Sequence, residues 1–421
     1  NSSQDKKGNF KGNFLDVFTV LRHDRYRRYW SGLLATVFGF QIMMIAQSWL
    51  IYDLTDSKLW LGYAGLAAGI PAIVLNLFGG VVADKVNQRK LIISTQSTSA
   101  LMLLTLGSLV LLEIVEPWHV LVIAFCIGSV QAFDSPSRQA IFPQLIDMTD
   151  MMKAVALNSM VWQSTRIVGP AIGGIIIATK YGTAPGFFVG SLGFITMSLA
   201  MASIKGLDSK RPSTGKGMFQ DMLEGIQFIR NQPVFLALMG LTFFNSIFGM
   251  SYITLLPVFA KDILEIGSSG LGYLHAISGV GGIAGTLITA RLSKSIGRGT
   301  ILSTGAISFG ICLSLFAISS SSLSSLPLAI VFIFLASISS SLYMITIMST
   351  LQTLVPNELR GRVMGIYGMT FNLIPIGAMQ AGFIAEQWSA ATAVIVGGIA
   401  VMIFAVIVQI FSKEVRNLGI A

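Results

Sequence analysis

The sequence predicts an all-α integral membrane protein, with twelve transmembrane helices in two six-helix bundles that repeat one another in parallel. Three observations point there. Of 421 residues, 53% are hydrophobic and only 11% charged, whereas a soluble domain carries about 25% charged residues. Apolar runs recur along the chain, each near the roughly 20 residues that a helix needs to cross hydrocarbon with its backbone groups satisfied. Short patterns in the first half return in the same order in the second.

The apolar runs place the spans near residues 30–52, 60–83, 91–112, 118–139, 156–178, 184–204, 234–260, 269–292, 299–319, 326–349, 362–385 and 389–411. Residues 1–29 are polar and basic, so no cleavable leader is expected and the first span should itself direct insertion. With the amino terminus inside, 24 of the 28 Lys and Arg fall in cytoplasmic segments. Three (Lys58, Lys180, Lys261) fall outside, and Arg166 alone lies within a span, the fifth. Cytoplasmic loops hold the excess of cations, so both termini are expected in the cytoplasm of a multi-pass inner (cytoplasmic) membrane protein. The net charge of +9 is thus topological, and nucleic acid is not expected as a partner.

KGLDSKRPSTGKG at 205–217 is the longest polar stretch and divides six spans from six. The organisation expected is an amino-terminal bundle over 1–204, a cytoplasmic linker over 205–233 and a carboxy-terminal bundle over 234–421. Within the linker, Phe219, Met222, Leu223, Ile226 and Ile229 recur at helical spacing while Gln220, Asp221, Glu224, Gln227 and Arg230 face elsewhere. That pattern suits an interfacial helix or one packed on the ends of the bundle. The repeat aligns Arg22 with Arg230 (offset 208), Asn87 with Gly297 (210), Pro143 with Pro356 (213) and Pro170 with Pro375 (205). Parallel six-helix repeats with a site between them near the midplane are one of the known transporter designs.

The loop GGVVADKVNQRK at 79–90 resembles the signature between helices 2 and 3 of the major facilitator superfamily, with Gly80, Asp84, Arg89 and Lys90 matching. Asn87 stands where Gly is usual, a position where a left-handed turn is expected; Gln88 replaces an Arg, and Lys294 stands for the Asp in the second copy. VGPAIGG at 168–174 is similar to the fifth-helix motif of exporters. TLVPNELRGRVMGIYGMTFNLIPIGAMQAG resembles the branch containing enterobactin and macrolide exporters. The resemblance spans essentially the whole chain.

The resemblance implies roles for particular residues. Asp84, at the end of helix 2, can face the positive amino terminus of helix 11, which starts near Arg360 and Arg362, and latch the halves on the cytoplasmic side. Arg89 is expected to pair with Asp134, both contacts holding an outward-open state and breaking when the cytoplasmic side opens. Arg166 is costly inside a span; Asp134 is its best partner, with Arg138 one turn away competing. A fixed ion pair and a titrating proton site both remain open. Proton coupling, if present, falls first to Asp134, then to Asp53 and His275; a lone His is more often a packing residue. Helices 1, 4, 7 and 10 line the cavity in this superfamily, which nominates Gln41, Gln47, Gln131, Asn245, Phe248, Tyr252, Tyr343 and Thr346. So few charges favour a bulky, amphipathic, neutral or weakly charged ligand. Gly169, Gly173 and Gly174 permit close helix packing and Pro170 interrupts their helix, which implies tight contact of helices 5 and 8.

No P-loop, HExxH or cluster of His and Asp occurs, the three His are scattered, and Cys126 and Cys312 lie far apart in apolar stretches. An enzyme, a self-contained ATP-driven pump, a cofactor and a metal site are therefore not expected. The function expected is alternating-access export of a drug-like or siderophore-like small molecule by proton antiport, by a monomer in the lipid bilayer. An importer or a lysolipid or lipid flippase on the same fold is the alternative.

Overall fold

The computed structural model describes residues 14–206 and 218–419, with side chains described over these except at 14, 15, 76–81, 83–85 and 218–222. Twelve long helices result: α1 (Asp24–Thr55), α2 (Lys58–Lys85), α3 (Gln88–Leu111), α4 (Pro117–Ile141), α5 (Met151–Ile177) and α6 (Ala184–Ser203), then α7 (Pro233–Ile263), α8 (Gly267–Leu292), α9 (Arg298–Ser321), α10 (Leu326–Leu354), α11 (Asn357–Gln387) and α12 (Ala390–Phe411). No strand occurs among the described residues. Eleven of the twelve are apolar enough to span a membrane on composition. The exception, α5, has 27 residues but carries the polar run Gln163, Ser164, Thr165 and Arg166.

Several helices outrun their apolar stretch for identifiable reasons. α1 begins at Asp24 because Tyr26 and Tyr29 are buried while Arg25, Arg27 and Arg28 point out; Tyr26 donates to the Ala154 carbonyl (3.1 Å) and packs edge-on to Phe142. α7 contains two π-helical turns, Asn245–Gly249 and Phe259–Ile263, each inserting a residue that rotates the remainder of the helix. α11 is broken after Phe371 and restarts at Ile374, with Pro375 in its first turn, where the missing N–H costs nothing. Asn87 differs from the left-handed expectation: its φ of −68° is extended, and its side chain caps α3 by accepting from Lys90 N–H (3.0 Å).

The packing repeats. In the first six helices α1 packs on α5 and α6, α2 on α4, and α3 on α4 and α6; in the second six α7 packs on α11 and α12, α8 on α10, and α9 on α10 and α12. The two sets meet through α2 with α11 and α5 with α8, pairs that exchange when each number is shifted by six. Glycine makes both approaches possible. A Cβ on Gly272 would lie 2.5 Å from the Pro170 carbonyl oxygen and 3.0 Å from Gly174 Cα, and one on Gly69 would lie 2.1 Å from Pro375 Cγ.

The start of α1, the start of α9 and the chain end share one face, here the terminal side: Gly206 abuts Arg25, and Arg298 N–H donates to Gly419 (3.0 Å). A linker helix, Met218–Arg230, rests there on α7 and α11. Phe228 meets Phe235 with centroids 5.1 Å apart, and Glu224 pairs with Arg362. Leu223 and Ile226 stay exposed, so the helix is docked on the bundle with an apolar edge outward. Residues 207–217, most of the polar linker stretch, lie outside the described residues.

Candidate substrate cavity and gates

A cavity of about 400 Å³ lies between α1, α2 and α4 of the first set and α7, α8 and α11 of the second. That volume falls within the roughly 300–1,000 Å³ of small-molecule sites. Aliphatic side chains and Met43, Met44 and Met250 form most of its wall, with Gln47, Gln131 and His275 among the polar groups. Thioether chains adapt to irregular apolar shapes. A second cavity of about 170 Å³ adjoins it, lined by Thr36, Arg138 and Trp162 and sharing Phe40 and Gln131 with the first.

Of the eight cavity residues expected from sequence, Gln47 and Gln131 line the space. Gln41 packs over Gly169 at the contact of α1 with α5, and Phe248 stacks on Phe244 with centroids 5.5 Å apart. Asn245, Tyr252, Tyr343 and Thr346 are buried instead. Tyr343 O–H donates to Asn245, the Tyr252 hydroxyl lies 3.3 Å from Ser278 Oγ, and Thr346 donates to its own helix at Leu342. These polar atoms hold α7, α8 and α10 together, a use of polarity that sequence alone does not separate from cavity lining.

Asp134 is fully buried. It pairs with Arg138 one turn on and accepts from Thr95 Oγ1 (2.8 Å) and Gln96 Nε2 (3.0 Å), and Gln96 in turn accepts from Thr36 Oγ1 (3.0 Å). One carboxylate thus ties α4 to α3 and α1. Neither of the other two partners expected for it is in contact with it here, Arg89 as expected of a state open on the cytoplasmic side and Arg166 against expectation. Arg89 donates instead to the carbonyls of Met201 (2.9 Å) and Ala202 (2.6 Å) at the end of α6. Arg166 makes no ion pair or hydrogen bond among the described residues; it is exposed, on the α5 face toward α8 and within electrostatic range of His275. The i,i+4 neighbour prevails because it reaches Asp134 without crossing between helices.

On the side away from the termini the two sets are joined by charge. Lys261 Nζ lies 3.0 Å from Asp53 and 2.8 Å from Asp56. Tyr52 O–H donates to Asp262. Glu386, at the end of α11, accepts from Lys58 N–H (2.8 Å), Leu59 N–H (3.3 Å) and Ser57 Oγ (3.2 Å) at the start of α2, where a carboxylate complements the helix dipole. The π turn Phe259–Ile263 carries Lys261 and Asp262, and Asp56 is reached through a left-handed α1 cap (φ 46°). Asp53 is thus exposed and paired with Lys261 across the two sets. Sequence reasoning missed the rest of this cluster, although Lys261 sits 208 residues after Asp53, the same offset that aligns Arg22 with Arg230.

On the terminal side, the side chains of Gly80 and Asp84 lie outside the described residues. Lys90 is exposed, Arg360 reaches the Val355 carbonyl (3.5 Å), and Arg362 pairs with Glu224. In the fifth-helix motif, Gly174 faces α8 together with Pro170, whereas Gly169 and Gly173 face Gln41 and Ile42 of α1.

Two repeated six-helix sets around a cavity between them, joined crosswise through α2 with α11 and α5 with α8, define a major facilitator transporter. Within that superfamily the chain belongs to the transmembrane secretion effector family, whose family model matches residues 16–417. It is 25% identical to the staphyloferrin A transporter of Staphylococcus aureus over 388 residues, 90% of this chain and 94% of that one. It is 25% identical to the multidrug efflux pump Tap of Mycolicibacterium fortuitum over 394 residues (91% and 94%), and 21% identical to the enterobactin exporter EntS of Escherichia coli over 405 (96% and 95%). Among solved structures, a bacterial homologue of the human lysosomal transporter Spinster, inward-facing and unoccupied, superposes with a TM-score of 0.73 at 13% identity, covering 97% of this chain and 98% of that one.

Proposed function

We propose that the protein is a secondary exporter of an amphipathic small molecule, drug-like or siderophore-like, working by alternating access with proton antiport in the inner membrane. The observation that carries this reading is the cavity between the two sets, closed on the side away from the termini by the Lys261 and Glu386 contacts. The excess of cations on the terminal side supports placing that side in the cytoplasm, which would make the conformation inward-facing. Likeness to an inward-facing solved structure supports the assignment. Siderophore and drug transporters among the relatives support the substrate class and direction.

In this mechanism residues 1–204 and 234–421 rock as two bodies linked by 205–233. When the cytoplasmic side closes, the Asp84 segment meets the start of α11 around Arg360 and Arg362 while Arg89 and Lys90 leave their present places. Each of the antiparallel helices α2 and α11 then offers a carboxylate near its end to the start of the other, Glu386 on one side and Asp84 on the other. Only one latch closes at a time. Proton coupling falls to Asp134, whose protonation would release Arg138 toward the smaller cavity, with His275 on the cavity wall as the second candidate.

The test is transport in proteoliposomes under an imposed pH gradient, with a panel of amphipathic compounds. Gradient-driven movement is expected for wild type and His275→Gln and is expected to be abolished in Asp134→Asn, with unforced exchange retained. Equal gradient-driven movement in wild type and Asp134→Asn would remove Asp134 from coupling. Flipping of labelled lysolipid without movement of any soluble compound would favour the flippase.

A further inference from the structure

The charges within the spans do not balance. Asp134 and Arg138 neutralise each other, while Arg166, in the middle of α5, has no carboxylate partner among the described residues and is exposed. Its direction follows from its neighbours. Gly169, three residues on, faces Gln41 of α1, and Pro170, four residues on, presents its carbonyl to Gly272 of α8. Residues three and four apart share a helix face, so Arg166 points between α1 and α8, into the space separating the two sets rather than toward lipid. Trp162, one turn before it, lines the smaller cavity, and His275, within electrostatic range, lines the larger.

We propose that Arg166 is the anion-binding residue of the substrate site, and that the ligand is an amphipathic organic anion whose apolar body fills the Met-rich cavity while its carboxylate or similar oxyanion rests on the Arg166 guanidinium. A guanidinium inside a span is costly without a counter-charge or a wet cavity, and its planar fork matches an oxyanion with two parallel hydrogen bonds. This inference rests on the reading of the cavity as the substrate site. It narrows the neutral or weakly charged ligand that the scarcity of charge in the sequence suggested to an anionic one, because the charge that remains within the spans is positive once Asp134 is accounted for.

The test is calorimetric binding to the full chain in lipid nanodiscs, referenced to empty nanodiscs, with 2-naphthoate, naphthalene-2-sulfonate, 2-naphthol and 2-naphthylmethylammonium as probes matched in apolar body. Wild type is expected to bind the two anions about tenfold or more tightly than the alcohol and the cation, and Arg166→Gln to lose roughly tenfold to a hundredfold in anion affinity with alcohol binding unchanged. Arg166→Lys should recover part of the loss. The comparison of probes on wild type decides the matter even if a variant fails to fold. Equal or tighter binding of the alcohol or the cation, or full anion affinity in Arg166→Gln, overturns the anion site while leaving an amphiphile transporter intact. Binding of none of the four overturns the cavity as an amphiphile site altogether.

Discussion

At the scale of single residues, two buried or nearly buried aspartates serve different ends. Asp134 holds three helices together inside the membrane. Asp150 works at the terminal face, where Arg22 and His23 each lie 3.0 Å from its carboxylate and Lys153 lies 3.3 Å away, tying the segment before α1 to the start of α5. The hydrogen bond with His23, joined by those of Lys153 and Arg22, holds the Asp150 carboxyl at about 2, against the opposing push of burial. A carboxylate with a depressed pKa contributes stability that is complete above its ordinary value near 3.8 and is lost as pH falls through about 2. Asp150→Asn is therefore expected to lower the unfolding temperature in detergent at neutral pH, with the gap from wild type closing between about pH 4 and pH 2. A gap that stays constant across that range would assign the effect to packing rather than to the charge. The sequence marked Asp134 and Arg166 as the residues to explain, since charge inside a span is legible from composition alone. It did not reveal that Asp134 takes Arg138, Thr95 and Gln96 together and leaves Arg166 without a partner among the described residues, because those distances are set only by the packed helices.

At the scale of helices, existence was legible and extent was not. Long apolar runs announce spans because hydrocarbon leaves the backbone no other partner, and even α5, too polar to qualify on composition, is implied by its place between helices 4 and 6. The ends shift where tertiary packing buries residues that hydropathy counts as polar or neutral, as with Tyr26 and Tyr29 at the start of α1. The π turn Phe259–Ile263 of α7 has no periodic signature, so the contacts that Lys261 and Asp262 make from it stayed hidden. The internal repeat foretold more than it was used for: Gly62 and Gly272 stand at the 210 offset of the Asn87 and Gly297 alignment, and each lies at a close approach between the sets, to Met379 and to Pro170. A Cβ at Gly62 would lie 2.9 Å from Met379 Cα, a backbone atom that gives way only if α11 shifts. Gly62→Ala is therefore expected to lower the unfolding temperature in detergent by several degrees, whereas Gly365→Ala, whose Cβ would meet open space, is expected to leave it unchanged or raise it slightly. Equal unfolding temperatures for Gly62→Ala and wild type would show that α2 and α11 can part at this end without loss.

At the scale of the whole molecule, the contacts joining the two sets away from the termini are individually weak and, under the proposed alternating access, together hold one state of two. An exposed ion pair is worth about 0.2–1 kcal/mol, and a carboxylate at a helix start about 0.3–1 kcal/mol. Such terms suit a switch: they bias a conformation without trapping it, and a transporter must leave each state once per cycle. Lys261 bridges Asp53 and Asp56 while Glu386 caps α2, so Lys261→Met combined with Glu386→Gln removes both kinds of contact and leaves the apolar helix packing in place. The combined loss of about 1–2 kcal/mol corresponds to a rise of roughly 5- to 30-fold in the ratio of the outward-open to the inward-open state. Gln47 lines the cavity, so Gln47→Cys in a background with Cys126→Ser and Cys312→Ser reports that ratio through its rate of labelling by a membrane-impermeant maleimide added to the side away from the termini. The rate is expected to rise by the same factor in the double variant, and labelling from the terminal side is expected to slow, since population gained by one state is drawn from the other. A rise on both sides together would signify a leak through a loosened bundle, and an unchanged rate on the far side would show that apolar packing of α2 on α11 and α5 on α8, rather than the charged contacts, sets the balance.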